Sequence, residues 1–177
     1  MVVIAITGLP GAGTSTVSKI LAKRLNLKYF SPGEYFKKHS KLKTQVDEAV
    51  DVWKSKRGRS KNFHEEIDKM QRELAKKGNI VICGKLSIYM LKDLADVKIW
   101  IDCSLDERAR RSANRDNISF DEAKKKLIER ERIEKVEWER MYGFNREIQR
   151  EMADIVIDNT NLNVEETIKQ ILGKIKL

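Results

Sequence analysis

The residues best placed to do chemistry lie near the N-terminus, in Gly8-Leu9-Pro10-Gly11-Ala12-Gly13-Thr14-Ser15-Thr16. Glycines at positions 8, 11 and 13 let the main chain wrap tightly and turn several N–H groups toward one point, an arrangement that binds phosphate. The spacing follows G-x-x-x-x-G-K-[ST] except at the lysine, where Thr14 stands. Threonine donates a hydrogen bond but carries no charge. The ammonium that ordinarily reaches the β- and γ-phosphates must therefore come from elsewhere, or transfer is impaired. Ser15 keeps the hydroxyl that the pattern places on Mg²⁺. The expected ligand is ATP with its magnesium, held on Gly8 to Thr16; a purely structural glycine turn is the alternative.

Such a loop needs a strand before it and a helix after it. Val2 to Ile6 is a β-branched run suited to a buried parallel strand, and Val17, Ile20, Leu21 and Leu25 recur at helical spacing. Further along, Tyr29-Phe30, Ile80 to Cys83, Val97 to Ile101 and Ile155 to Ile157 read as strands. A short helix is expected through Tyr35 and Phe36, and two helical pieces over 44–77, broken by the basic run Lys54 to Lys61 and stopped at Gly78. Ser104-Leu-Asp-Glu107 and Ser119-Phe-Asp-Glu122 are capping boxes that start two more helices, and Asn163 can cap the last. Strands alternating with helices predict an α/β fold, a parallel sheet covered on both faces.

The 177 residues suffice for one domain, and 41% hydrophobic content is ordinary for a globular chain. No apolar run approaches the roughly 18 residues of a membrane helix, and the N-terminus has no basic leader, so a cytoplasmic protein is expected. Two cysteines, Cys83 and Cys103, without a CxxC or a Cys/His cluster, argue against a disulfide framework and a zinc site. His39 and His64 are isolated and read as surface or packing residues. A net charge of +9 suits nucleotides, RNA or an acidic surface, and equally a surface laced with ion pairs.

Several segments together resemble the archaeal-type cytidylate kinases, a branch of the adenylate-kinase-like P-loop fold: GLPGAGTST at 8–16, SPGEYFK at 31–37, EIDKMQ at 66–71, CGKLS at 83–87, ANRD at 113–116, ERE at 129–131, YG at 142–143 and DIVIDNT at 154–160. The match runs nearly end to end and is weakest at 40–63. The resemblance implies a monomeric kinase transferring the ATP γ-phosphoryl group to CMP or dCMP. It implies a five-stranded parallel sheet in the order 2-3-1-4-5. In that order the strands ending near Cys83 and Cys103 flank the first strand, too far apart for a disulfide. Members can carry threonine at the lysine position of the loop. The acceptor site would use Ser31, Gly33, Phe36, Lys37, Asp68, Gly84, Lys85 and Glu134, within an acceptor-binding segment of about 31–77. A lid over about 106–132 would bring Arg108, Arg111, Arg115 and Arg130 over the phosphates. Arg130, Lys85 and Arg115 are the expected catalytic cations.

The chain departs from that pattern in places. Lys37 and Lys85 stand where arginines are usual, which keeps the charge and loses the bidentate fork. Cys83 replaces an acidic residue, and Glu137 falls where an arginine is expected. These substitutions keep three alternatives open: a kinase of other base specificity, another small P-loop kinase, and a nucleotide- or RNA-binding protein with a decayed site. For RNA, the run 54–61 supplies charge, but Trp53 and Phe63 only flank it, so base stacking is poorly served.

Overall fold

The computed structural model describes residues 1–37 and 45–176; His39 lies outside the described residues. Strands β1 (Val3–Gly8), β2 (Lys28–Phe30), β3 (Ile80–Cys83), β4 (Val97–Asp102) and β5 (Ile155–Asp158) form one parallel sheet in the order β2-β3-β1-β4-β5, as expected. The helices are α1 (Thr14–Arg24), α2 (Pro32–Lys37), α3 (Gln45–Lys54), α4 (Lys61–Lys76), α5 (Ser87–Met90), α6 (Leu105–Asp116), α7 (Phe120–Tyr142), α8 (Ile148–Glu151) and α9 (Val164–Lys174).

All of β1 is buried, because it lies at the middle of the sheet with helices on both sides. Alternate side chains serve opposite faces. Ile4 and Ile6 join Val81, Ile99, Ile101 and Ile157 against α1 and α9. Val3 and Ala5 join Ile80, Ile82 and Trp100 beneath Ala75, Ile88 and Leu91. A third cluster, Phe36, Val52, Trp53, Phe63, Ile67, Leu86, Trp138 and Met141, draws α2, α3, α4 and α7 together away from the sheet. That cluster builds one wall of the site.

The helix ends follow local chemistry. Ser104 and Ser119 each accept the N–H three residues on, at 3.3 and 3.2 Å. At α9 the box is reciprocal: Asn163 Oδ1 accepts from Glu166 N at 2.9 Å, and Glu166 Oε2 accepts from Asn163 N at 2.8 Å. Helix α7 stops at Gly143, whose φ of 70° is left-handed. Helices α5 and α8, four residues each, escape the sequence pattern because one turn carries no period. Both cysteines are free and buried, Cys83 at the end of β3 and Cys103 just past the end of β4, on either side of β1. Among the described residues no helix is long and apolar enough to cross a membrane.

Asn163→Ala removes one arm of the box. It is expected to lower stability by about 1 kcal/mol, read as a shifted denaturant midpoint with the native circular dichroism spectrum retained.

Candidate active site

Between β1 and α1 the chain turns through Gly11 and Gly13, whose φ values of 83° and 79° favour glycine. Gly8 has no room for a side chain: a Cβ there would meet the Ile101 carbonyl oxygen at 2.5 Å. The loop is tied back from behind. Arg108 Nη1 donates to the Pro10 carbonyl at 3.0 Å and Nε to the Cys103 carbonyl at 3.1 Å, and the same guanidinium pairs with Glu131. Asn159 Nδ2 donates to the Ala12 carbonyl at 2.9 Å. On the open side Pro10, Gly11, Gly13, Thr14, Ser15 and Thr16 line a cleft of about 370 Å³, shared with Ser31, Lys37, Cys83, Gly84, Lys85, Arg115 and Arg130.

Arg108 was expected above the phosphates. It is instead buried beneath the loop, because the start of α6 packs on the loop's back and its guanidinium serves the carbonyls there. Arg111 lies on the other flank, donating through Nη2 to the carbonyls of Asn159 at 2.8 Å and Leu162 at 3.2 Å. With Asn159, Thr160 and Asn161 it lines a second opening beside Gly11, Gly13 and Thr16. Arg115 lines both openings while Nε and Nη2 hold Asp116.

Lys85 reaches the phosphate loop directly. Its Nζ donates to the Gly8 carbonyl at 2.6 Å, so an ammonium arrives from the β3 side at the loop that Thr14 leaves uncharged. Burial, then the nearby Arg130 charge, pushes the Lys85 pKa down to about 7. Burial raises the Cys83 thiol, which is therefore neutral at pH 7. Lys37 is lowered by burial and by Arg130.

Beyond Lys85 a third cavity opens, walled by Phe36, Trp53, His64, Ile67, Trp138 and Tyr142. Its rings pack on one another, Phe36 on Trp53 at 5.1 Å and Trp53 on His64 at 4.8 Å between centroids. His64 is a packing residue there, its Nε2 bonded to the Gly58 carbonyl at 2.7 Å. The polar floor is a relay. Ser87 Oγ donates to Gln71 Oε1 at 3.0 Å, Gln71 Nε2 to Asp68 Oδ1 at 2.9 Å, and Tyr142 OH to Asp68 Oδ2 at 2.5 Å. Burial raises the Asp68 pKa, against the pull of those two donors. Gly33, Lys37, Lys85 and Arg130 line both this cavity and the phosphate cleft. Arg130 is oriented by Glu134, whose Oε1 accepts its Nε at 2.7 Å.

Glu137, the reversal of charge that most threatened phosphate contact, lies off this axis. It pairs with Arg140 and lines a surface groove with Trp53, Arg59 and Arg132. The basic run is largely engaged within the protein: Lys54 with Glu129, Arg59 with the carbonyls of Trp53 and Lys54, Lys61 with Glu65, and Arg57 over the Phe63 ring. Sequence reasoning missed Arg146 and Gln149, both buried behind the site. Arg146 sits on irregular chain just before a four-residue helix and Gln149 within it, where no motif or period marks them.

Comparison with known proteins converges on one group. The model of the Cytidylate kinase-like family matches residues 3–161. A cytidylate kinase of Methanocaldococcus jannaschii is 36% identical over 92% of this chain and 91% of its own, and one of Ignicoccus hospitalis 34% identical over 97% and 99%. Among solved structures, an uncharacterised protein of Eubacterium ventriosum aligns over 98% of this chain and 97% of its own, with a TM-score of 0.67 at 20% identity. A shikimate kinase of Bacteroides thetaiotaomicron aligns over 97% and 96%, with a TM-score of 0.62 at 18% identity, a likeness of fold. Matched over most of its length by the family model and by relatives above 30% identity, the chain belongs to the cytidylate kinase-like family.

Proposed function

We propose that this protein is a nucleoside monophosphate kinase that moves the γ-phosphoryl group of ATP to CMP, giving ADP and CDP. One observation carries the reading: the phosphate cleft and the aromatic cavity meet at the same four residues, Gly33, Lys37, Lys85 and Arg130. A triphosphate on the loop and a monophosphate in the cavity would bring donor and acceptor together there. The ATP base lies along Arg111 and 159–163, and the acceptor base over the floor of Asp68 and Gln71.

The floor supports cytosine. Both Asp68 oxygens already accept protein donors, and their remaining lone pairs can accept an exocyclic amino group. Uracil offers a carbonyl at that edge and would oppose the carboxylate. The aromatic walls supply stacking.

Phosphoryl transfer needs alignment and positive charge more than covalent help. Arg130, fixed through Nε by Glu134, keeps its terminal amino groups for phosphate oxygens. Lys85, tethered to Gly8, stands between the two phosphates, and Lys37 and Arg115 flank them. An ionised acceptor phosphate is already a nucleophile, so no general base is assigned. Of the expected lid, about 106–132, the part up to Arg111 is anchored to the loop, so it is closing of the segment beyond Arg111 that would exclude competing water.

The residues fit magnesium held chiefly by nucleotide and water. Ser15 offers one hydroxyl in the cleft, the neutral Cys83 thiol offers no anion, and no group of three His, Cys, Asp or Glu converges among the described residues. Bound with ATP, Mg²⁺ would neutralise charge on the phosphates.

An ADP-release assay across CMP, dCMP, UMP, AMP and GMP tests the activity; CMP is expected to lead, and turnover of none of them would end the proposal. In the same assay Asp68→Asn should erode the preference for CMP over UMP by at least about tenfold. Lys85→Ala should cut turnover by tens of fold or more, on the order seen when one transition-state donor is lost. The sign of the pH dependence follows from Lys85. Its cation is present in the free protein below about pH 7 and lost above it, whereas a bound dianion holds the proton to higher pH. So the rate with ATP and acceptor both well below saturation should fall as pH rises through about 7 while kcat persists, and Lys85→Arg should flatten that limb. A wild-type rate at subsaturating substrates that stays level through neutrality would contradict the assignment.

A further inference from the structure

Behind the transfer site lies a guanidinium that the fold does not explain. Arg146, on the segment between α7 and α8, is 8% exposed, and its Nε and Nη1 have no hydrogen-bond partner among the described residues. It faces Glu134, itself 1% exposed, across a gap of 3.7 Å from Nη1 to Oε2, and that carboxylate oxygen also lacks a hydrogen bond. The other face of the guanidinium lies 5.7 Å from the Trp138 ring centroid. A buried cation left this incompletely bonded is a poor device for stability, since an apolar side chain of its size would avoid the desolvation.

Its neighbours give it another use. Glu134 holds Arg130 through the opposite oxygen, Oε1, at 2.7 Å, so the order of charges is Arg146, Glu134, Arg130 and then the phosphate cleft. The segment carrying Arg146 is also tied to the Lys85 turn. Gln149 Nε2 donates to the Lys85 carbonyl at 3.0 Å and to the Arg146 carbonyl at 3.2 Å, while Gln149 Oε1 accepts from Tyr89 N at 3.1 Å. The charged or titratable groups bearing on Lys85 are Arg130 and Glu134 from α7, Arg146 behind them, and the Cys83 thiol from β3. Three basic side chains thus share one buried carboxylate, Arg146 reaching beyond it, among the described residues, only to the exposed Glu147, 3.9 Å from Nη2, and an entering phosphate would complete the set.

We propose that Arg146 is a positioning residue for phosphoryl transfer: it braces Glu134 from behind, and so keeps Arg130 aimed at the phosphates. Glu134 is then held by a hydrogen bond at Oε1 and by the facing charge at Oε2, so that Arg130 does not swing back with it when the nucleotide arrives. The inference rests on the kinase reading, and it separates from it in the test.

Arg146→Met, Arg146→Lys, Arg130→Met and the double variant Arg130→Met/Arg146→Met are compared with the wild type by steady-state kinetics and thermal melting. Arg146→Met is expected to lose at least about tenfold in kcat, with the KM for ATP within about twofold of wild type. Its melting temperature should fall only modestly, because Glu134 keeps its hydrogen bond to Arg130 when Arg146 is removed. Arg146→Lys should recover part of kcat. Because Arg146 acts through Arg130, the double variant should be no slower than Arg130→Met alone. Normal kcat in Arg146→Met, or losses that multiply in the double variant, overturn the proposal even if the variant melts lower. If the wild type phosphorylates none of the acceptors, the kinase reading fails by itself. Arg146 is then judged by inorganic phosphate, which should raise the melting temperature of the wild type more than that of Arg146→Met; equal shifts overturn it.

Discussion

The hydrogen bond from the Lys85 ammonium to the Gly8 carbonyl joins the halves of this molecule. One partner belongs to the turn after β3, the other to the end of β1, and the strands are hydrogen-bonded neighbours in register from Val3 with Ile80 to Ile6 with Cys83. Sheet register therefore sets where the ammonium falls. A slip of one residue would turn Lys85 to the other face and leave the loop without the charge that Thr14 does not provide. The departure at Thr14 looks like a loss when the loop is taken alone. In three dimensions a cation nonetheless stands at the loop, carried by the turn after the adjacent strand.

The same economy holds behind the loop. Arginines that might have been spent on phosphate are used as scaffold: Arg108 satisfies two carbonyls beneath the glycines, and Arg111 two at the far edge. Each leaves the loop's other face open, and each converts a flexible glycine turn into a held one. Pre-organisation of this kind matters because a loop that must order itself around a nucleotide loses affinity to the entropy of ordering.

What could be seen in the sequence was whatever carries a period or a motif. The glycine spacing, the β-branched runs and the cap at Asn163 each have a local cause, so each could be assigned without contacts. The order of the strands, by contrast, came through family resemblance and not from the patterns themselves. Arg108 illustrates the limit: nothing in its neighbours along the chain tells whether a helix-start arginine points over a loop or under it. Glu137 illustrates another. A position in a motif does not state which face of a 23-residue helix it occupies, and here Arg130 and Glu134 face the site while Glu137 turns toward Arg140. Arg146 lay in chain with neither period nor motif, and its importance is set wholly by what it is buried against.

The placing of the tryptophans has an experimental consequence. Trp53 and Trp138 stand edge to face, 6.1 Å apart, in the wall of the aromatic cavity, whereas Trp100 is sealed within the sheet. Intrinsic emission therefore contains a steady contribution from the core and a variable one from the pocket. A base sliding among those rings would quench the second and spare the first, so occupancy of the cavity can be followed by light without attaching a dye.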